Sequence, residues 1–380
     1  MIGHLINNSS SFLKERLALK YQCTIDTFAK YEIFFEFRDI KNQKSELFNS
    51  KDVDIFYTEK ESSLLISAYS IDTLTAKAEF FENNFREILL KVVSNYRSNY
   101  EFRLDPNKFS DQKFLIMGIL NVTTDSFSDG GKFLDSPKAV EHALNLMEKG
   151  ADIIDVGGES SRPGADPVSV KTELKRVIPV IEGIKLRNKN AVISVDTTKS
   201  VVAREAVEAG AEIINDISAG NFDSEIFHCA AEKKVPLILM HMKGNPKTMQ
   251  NKPHYDDVIS EIYDFLHKRI AMAKNAGVIN LVVDPGVGFG KRTQDNYEII
   301  NRLDEFKGLG FSSLVGLSRK SFLGKSLHLD IDKRDNATLS AEISAAYKGV
   351  SILRTHNVKK LAEARKIISF IENPEAAANV

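Results

Sequence analysis

The chain has 380 residues, with 51 basic and 52 acidic side chains and a formal net charge of −1. This length allows two or three domains, and near neutrality argues against nucleic acid or an anionic membrane surface as a partner. No apolar run approaches the roughly 18 residues of a membrane span, and no export signal is recognisable at the start. Cys23 and Cys229 fit no metal or disulfide spacing, which favours a reducing cytoplasm.

Glycine and proline are distributed unevenly along the chain. Of 21 glycines and ten prolines, only Gly3 and Pro106 fall in the first 112 residues, which hold 12 of the 23 phenylalanines. Because these residues build tight turns and ligand-binding loops, the asymmetry predicts a small α+β accessory domain of unknown role at 1–106. Its expected elements are strands at 31–37, 53–57 and 64–69 and one long helix at 73–94.

From residue 113 onward, short apolar runs alternate with amphipathic stretches. The strand-like runs span 114–120, 152–156, 191–195, 212–215, 236–240, 280–283, 314–317 and 350–353. The helical patterns span 137–149, 169–186, 200–209, 224–233, 255–276, 293–306, 339–348 and 358–371. Eight such units predict a (β/α)8 TIM barrel, an α/β fold, over 113–373, followed by a tail at 374–380. A doubly wound open sheet is the structural alternative, which the lack of a dinucleotide fingerprint disfavours.

In such a barrel the active site lies just past the carboxyl ends of the strands. Asp196, Asn215 and Asp284 follow three different strands, and their mixed donors and acceptors suit an aromatic heterocycle with several N–H groups. Simpler roles are also open: Asp196 as a helix cap, His241 as a core residue and Lys291 in an ion pair at the rim.

Cationic and oxygen-bearing side chains follow other strands. Arg354 and His356, with Arg162 across the mouth, form a patch that suits phosphate or pyrophosphate. The oxygen ligands expected for a Mg²⁺ that bridges such phosphates are those of Asn121 with Asp125 or Asp129.

Seven segments resemble the signatures of the dihydropteroate synthase family, in the same order. They are Asn-Val-Thr-Thr-Asp-Ser-Phe-Ser-Asp-Gly-Gly at 121–131, Gly-Gly-Glu-Ser-Ser-Arg-Pro-Gly at 157–164, and the shorter segments 194–197, 214–217, 284–291, 318–321 and 354–356. The resemblance extends from about residue 114 to 371, and a series in register is more specific than any one motif. It implies Mg²⁺-dependent condensation of 6-hydroxymethyl-7,8-dihydropterin pyrophosphate with p-aminobenzoate, giving 7,8-dihydropteroate and pyrophosphate in folate biosynthesis. It also implies a homodimer and competition by sulfonamides.

The resemblance assigns roles residue by residue. The pterin would be held by Asp196, Asn215, Asp284 and Lys320, and the pyrophosphate by Asn121, Arg162, Arg354 and His356, with Mg²⁺ near Asn121. The p-aminobenzoate site would comprise Phe127, Ser161, Pro163, Phe289 and Ser321. Catalysis would resemble an SN1 displacement in which Asp125 and Asp129 stabilise the cationic pterin and the metal, together with Lys320.

Two positions depart from the family pattern. Ser161 stands where threonine is usual, which removes a methyl contact in the p-aminobenzoate site, and Thr124 stands where proline is usual, which loosens that loop. Two alternative functions share much of the pattern: a pterin-binding methyltransferase domain serving a corrinoid protein, and a pterin-binding protein without activity. The first has no need of the pyrophosphate residues Arg354 and His356.

Overall fold

The computed structural model describes residues 1–7, 10–40, 54–58, 62–76, 78, 81, 83–98, 102, 112–123, 136–161 and 164–379. The chain divides into two compact units. The first comprises residues 1–100 together with 302–310, and the second comprises 101–301 with 311–380. Within the described residues, no helix is long and apolar enough to cross a membrane.

The first unit is built on a four-stranded antiparallel sheet with the strand order β1-β2-β4-β3. Its strands are β1 (Ile2–Ile6), β2 (Ile33–Arg38), β3 (Asp54–Thr58) and β4 (Ser63–Ala68), and its helices are α1 (Ser11–Lys20), α2 (Ile25–Phe28), α3 (Ile71–Ala76) and α4 (Asn83–Arg97). The α+β class is confirmed. The single helix expected at 73–94 is wrong, because the chain forms α3 and α4 instead. Asn83 and Asn84 favour a helix start over a helix interior, which accounts for the second beginning there.

Both faces of this sheet are covered. On one face, Phe35 and Phe37 pack with Phe85 and Leu89 of α4. On the other, Phe34 packs in a cluster with Leu13 of α1. Since successive strand residues point to opposite faces, a strand buried on both sides must be apolar throughout, which explains the phenylalanine-rich sequence of β2.

The second unit contains eight parallel strands that close into a barrel in sequence order. The strands are β5 (Leu115–Asn121), β6 (Ile153–Gly157), β7 (Val192–Asp196), β8 (Ile213–Asp216), β9 (Leu237–Met240), β10 (Leu281–Asp284), β11 (Ser312–Gly316) and β12 (Ile352–Thr355). The helices are α5 (Ser136–Glu148), α6 (Val170–Arg187), α7 (Ser200–Glu208), α8 (Glu225–Lys233), α9 (Val258–Asn275), α10 (Thr293–Asn301), α11 (Ser321–Leu327), α12 (Asp335–Tyr347) and α13 (Val358–Glu372). The TIM barrel is confirmed and the open sheet is excluded.

The strands run one or two residues further than expected at their carboxyl ends, except β9, which ends where predicted, and β11, which ends one residue earlier. Asn121, Asp196 and Asp284 are therefore the last residues of β5, β7 and β10 rather than the first residues of loops. Residues two positions apart face the same side of a strand, so the barrel interior changes character along its length. The lower part of the interior is apolar, as with Val192 and Val282, and its upper end carries Asp196 and Asp284.

The helix expected at 293–306 is wrong at its end. Helix α10 stops at Asn301, and Leu303–Leu309 forms a 3-10 helix that belongs to the first unit. There Tyr96 of α4 donates a hydrogen bond to Asp304 over 2.9 Å, and Asn95 donates one to the carbonyl of Gly308 over 3.0 Å. Helical periodicity continues across residue 301 in the sequence, but residues 302–310 group with the first unit and not with the barrel.

A candidate pterin and pyrophosphate site

A pocket opens at the carboxyl ends of the barrel strands. It is lined by Ser161, Asn215, Ile217, Met240, Asp284, Gly286, Val287, Phe289, Gly316, Lys320 and Arg354. Six of these eleven side chains were singled out in the sequence, from five different strand ends. The structure thus brings together residues that lie up to almost 200 positions apart in the chain.

The centre of the site is a buried network of charges around Arg354. Its Nε lies 2.6 Å from Asp155 Oδ2, and its Nη2 donates to Asp196 Oδ2 over 2.8 Å. Asn215 donates from Nδ2 to the same Asp155 oxygen over 3.1 Å. Asp196 is thus engaged by Arg354, and the start of α7 is served instead by Asp223, which accepts from the backbone N–H of Ser200 over 2.7 Å. The helix-cap role for Asp196 is wrong.

Asp155 was missed in the sequence. It stands in the middle of the apolar run that forms β6 and is completely buried. A signal was present, because an aspartate inside a buried strand must have a charged or hydrogen-bonding partner. The side chain of Asp155 points into the barrel, because Asp155 lies two residues before Gly157 and residues two positions apart on a strand face the same side.

The site carboxylates are short of compensating charge. Burial raises the pKa of Asp284 to about 6, against the opposing hydrogen bond that its Oδ1 accepts from Gly286 N–H over 2.7 Å. Burial also raises the pKa of Asp196 to about 7; Arg354 opposes the rise and Asp155 adds to it. Carboxylates with shifted pKa values in a cleft are a mark of functional sites. The N–H donors of a ligand can supply the hydrogen bonds that such a carboxylate lacks in the protein.

Lys320 forms the opposite wall of the pocket. Its Nζ lies 4.1 Å from the centroid of the Phe289 ring, a cation–π contact. Burial, with the nearby charge of Arg354, lowers its pKa to about 8. The lysine and the aromatic ring therefore present a joint polar and flat surface to whatever occupies the pocket.

The loop after β10 is fixed to the end of β9. Lys291 Nζ lies 2.9 Å from His241 Nδ1 and donates to the carbonyl of Phe289 over 3.0 Å. Lys291 is only 3% exposed, so its expected place in a rim ion pair is wrong. Gly286 adopts φ +67, and a Cβ there would lie 1.9 Å from the carbonyl oxygen of His241, so only glycine fits. His241 is a buried structural histidine, and burial, then Lys291, hold its pKa well below the usual value.

The ends of β11 and β12 carry the residues expected to bind pyrophosphate. Ser318 Oγ accepts the backbone N–H of His356 over 3.1 Å and lies 3.0 Å from the ring Nδ1. That contact holds the orientation of the ring through Nδ1. Asn121 ends β5, which pairs with β12, so it lies at the same part of the barrel mouth.

Several predicted residues are not brought into the pocket lining. Ser321 is the exposed first residue of α11, and Asn121, Asp196 and His356 lie at strand ends outside that lining. The following predicted residues lie outside the described part of the chain: Thr124, Asp125, Phe127, Asp129, Arg162 and Pro163. Among the described side chains, no group of three or more His, Cys, Asp or Glu residues is arranged to hold a metal ion.

These features define a barrel enzyme that binds a flat, N–H-rich ligand next to a cationic subsite. The family model described as "Pterin binding enzyme" matches residues 117–356. The dihydropteroate synthase of Escherichia coli strain K12 is 48% identical over 255 residues, which cover 67% of this chain and 90% of that one.

Solved structures agree in fold and sequence. The Xanthomonas albilineans dihydropteroate synthase with 4-aminobenzoic acid is 42% identical with a TM-score of 0.65, over 69% of this chain and 94% of that one. The Yersinia pestis enzyme with a sulfonamide drug is 41% identical with a TM-score of 0.65, over 68% and 94%. The chain belongs to the dihydropteroate synthases, and the methyltransferase and non-catalytic alternatives are set aside.

Proposed function

We infer that this chain condenses 6-hydroxymethyl-7,8-dihydropterin pyrophosphate with p-aminobenzoate, as a transferase of folate biosynthesis. The observation that carries the assignment is the pocket in which Asn215, Asp284, Lys320 and Arg354 converge, with Asp196 directly behind Arg354. Carboxylates with raised pKa values accept N–H bonds from the pterin, and Asn215 supplies both a donor and an acceptor.

In the reaction, the C–O bond between the pterin methylene and pyrophosphate breaks, and a C–N bond to the arylamine forms with loss of a proton. Arg354 and His356 hold the leaving pyrophosphate, with Arg162 as a further cation. The buried carboxylates stabilise positive charge that develops on the pterin, since preorganised charges are strongest in a water-poor site. Asp125 and Asp129 join this role in the proposal.

The p-aminobenzoate site is assigned to the outer part of the pocket. Phe289 and Ser161 line it, and the cation–π contact between Lys320 and Phe289 fixes the ring of the latter. Phe127, Pro163 and Ser321 complete the site in the proposal. Sulfonamides compete for the same position, because they present the same arylamine.

Mg²⁺ fits this site through Asn121. A Mg²⁺ ion usually keeps several waters and uses one or two protein oxygens together with substrate phosphates, so one amide oxygen on the strand beside β12 suffices. The ion would neutralise charge on the leaving pyrophosphate. This small requirement is consistent with the lack of a carboxylate cluster among the described residues.

We further propose a cytoplasmic homodimer, with the first unit in an accessory, structural role. Ile367 and Ile371, one turn apart on α13, are 57% and 66% exposed, and a second copy of the chain would cover them. Both cysteines are free, in keeping with a reducing compartment. Solution mass of the native chain and of an Ile367→Lys, Ile371→Lys variant tests the dimer.

The activity test uses the full chain with Mg²⁺ and both substrates. We expect release of pyrophosphate together with dihydropteroate, and inhibition by a sulfonamide that p-aminobenzoate relieves. A folded protein, by circular dichroism, that binds the pterin substrate without turnover would refute the assignment.

A further inference from the structure

Arg319, which precedes the site lysine Lys320, has an unusual backbone conformation. Its φ is +56, in the left-handed region that non-glycine residues rarely occupy. Such strain persists only where the surroundings hold it, and it often sets the direction of a functional side chain. The groups that hold Arg319 therefore also determine where Lys320 points.

The start of α12 holds Arg319 by three separate groups. The backbone N–H of Arg319 donates to Thr338 Oγ1 over 3.0 Å. Its carbonyl accepts from Arg334 Nη1 over 3.1 Å, and its side-chain Nε donates to Asp335 Oδ1 over 3.0 Å. The backbone N–H, the backbone carbonyl and the side-chain Nε of Arg319 are thus all engaged.

Asp335 also reaches the neighbouring strand end. Its second oxygen, Oδ2, accepts from Asn357 Nδ2 over 2.8 Å. Asn357 follows His356, and its side chain also caps α13 by accepting from the backbone N–H of Lys360. One carboxylate therefore joins the turn before Lys320 to the loop that carries His356.

We propose that Asp335, with Thr338, is a positioning residue that keeps Lys320 and His356 in register across the ends of β11 and β12. Asp335 itself lies behind the site and touches no substrate in this assignment. The contact between Ser318 and His356 makes a second link between the same two strand ends. The two loops consequently move as one body. The distance between Lys320 and His356 is therefore already set when a pterin pyrophosphate that spans both subsites binds.

The test uses the full chain and rests on the proposed function. Asp335→Asn removes the charge that holds Arg319, and Thr338→Val removes its backbone acceptor at nearly constant volume. A displacement of about 1 Å at a reacting group costs up to about 100-fold, so we expect kcat/KM for the pterin substrate to fall by about 10- to 100-fold. KM for p-aminobenzoate, by contrast, should change by less than about twofold, because Ser161 and Phe289 of its site follow β6 and β10, which Asp335 does not join.

The controls separate the possible outcomes. Asp332→Asn, at an exposed position three residues earlier, should keep full activity. Asp335→Glu should recover part of the loss if the ion pair to Arg319 matters. If wild type and Asp332→Asn are active and Asp335→Asn and Thr338→Val match them, the inference is overturned while the proposed function stands. A rise of similar size in KM for both substrates, with a lowered melting temperature, also overturns it. An inactive wild type refutes the proposed function instead.

Discussion

Buried carboxylates occur in both units of the protein, and their surroundings differ in kind. In the first unit, Glu36 accepts from Tyr21 over 2.7 Å and pairs with Lys20 and Arg38. Burial alone would raise its pKa, but Arg38 and then Lys20 hold it to about 2. In the barrel, burial prevails for Asp196 and Asp284, and their pKa values rise. Glu36 is thus compensated by the cations beside it, whereas Asp196 and Asp284 are compensated only in part.

The largest expected effect is the loss of pterin binding when a side chain of the barrel site is removed. Asp196→Ala removes an acceptor and Lys320→Ala removes a pocket wall, and either change should abolish binding of the pterin substrate in calorimetry. Lys325→Ala, on the exposed side of α11, is the matched control and should bind normally. Unchanged affinity in the first two variants would contradict the assignment of the pocket.

Glu36→Gln should be the strongest destabiliser of the fold. Removing one partner of a buried ion pair leaves the other charge uncompensated, which costs about 3 to 5 kcal/mol. Chemical denaturation should show this loss in the first unit, with kcat/KM of the native protein unchanged. Glu32→Gln, exposed just before β2, is the control. A change below about 1 kcal/mol would mean that Glu36 is less well paired than its contacts indicate.

Asp284→Asn, in contrast to Glu36→Gln, should increase the free energy of unfolding. The pKa of Asp284 rises from 3.8 to about 6 in the folded protein. At pH 8 the buried carboxylate is ionised and destabilises the folded state, whereas asparagine carries no charge. Two pKa units correspond to about 2 to 3 kcal/mol, so the free energy of unfolding should increase by up to that amount while pterin binding is lost. A variant with lower stability at pH 8 would show that Lys320 and Arg354 need the charge of Asp284 more than its burial costs.

The smallest expected effect is on how the stability of the substrate-free protein depends on pH. Where the folded pKa exceeds the unfolded one, the native state binds more protons, so stability falls as pH rises through that interval. Asp284, Asp196 and Glu342, with pKa values of about 6, 7 and 8, all act in this direction. Glu36 contributes fully above its unfolded value and loses its contribution only as pH falls toward 2. The lowered pKa of His241 acts the other way, but it is one group against three, so the melting temperature should decline by a few degrees from pH 5.5 to 8, and Asp284→Asn should flatten the curve.

The barrel could be predicted from the sequence because strand and helix periods alternate eight times with turn residues between them. Asp196, Asn215 and Asp284 could be placed together because a parallel barrel brings all strand ends to one mouth. Asp155 could not be found by that rule, since it lies within a strand. A carboxylate inside an apolar run signals that a partner exists, but not that the partners are Arg354 and Asn215. The burial of Lys291 could not be predicted either, because its partner His241 lies 50 residues earlier in the chain.

The first unit was predicted less well because its core depends on distant sequence. Strand β1 begins at the second residue of the chain, where no alternation distinguishes it. Its only charged or titratable residue, His4, is completely buried, and the His4 ring Nε2 lies 3.0 Å from Glu305 Oε2. No local pattern connects residues so far apart.

This composition of the first unit affects the order of folding. N-terminal domains generally fold as they leave the ribosome, before the rest of the chain is made. Here the glutamate beside His4 and the side chains of Leu303 and Phe306, which belong to the first unit, are synthesised about 300 residues later. The first unit must therefore wait, incomplete, until six of the eight barrel strands have been translated. A chain cut back to the barrel would keep Leu303 and Phe306 without the rest of the unit to which they belong.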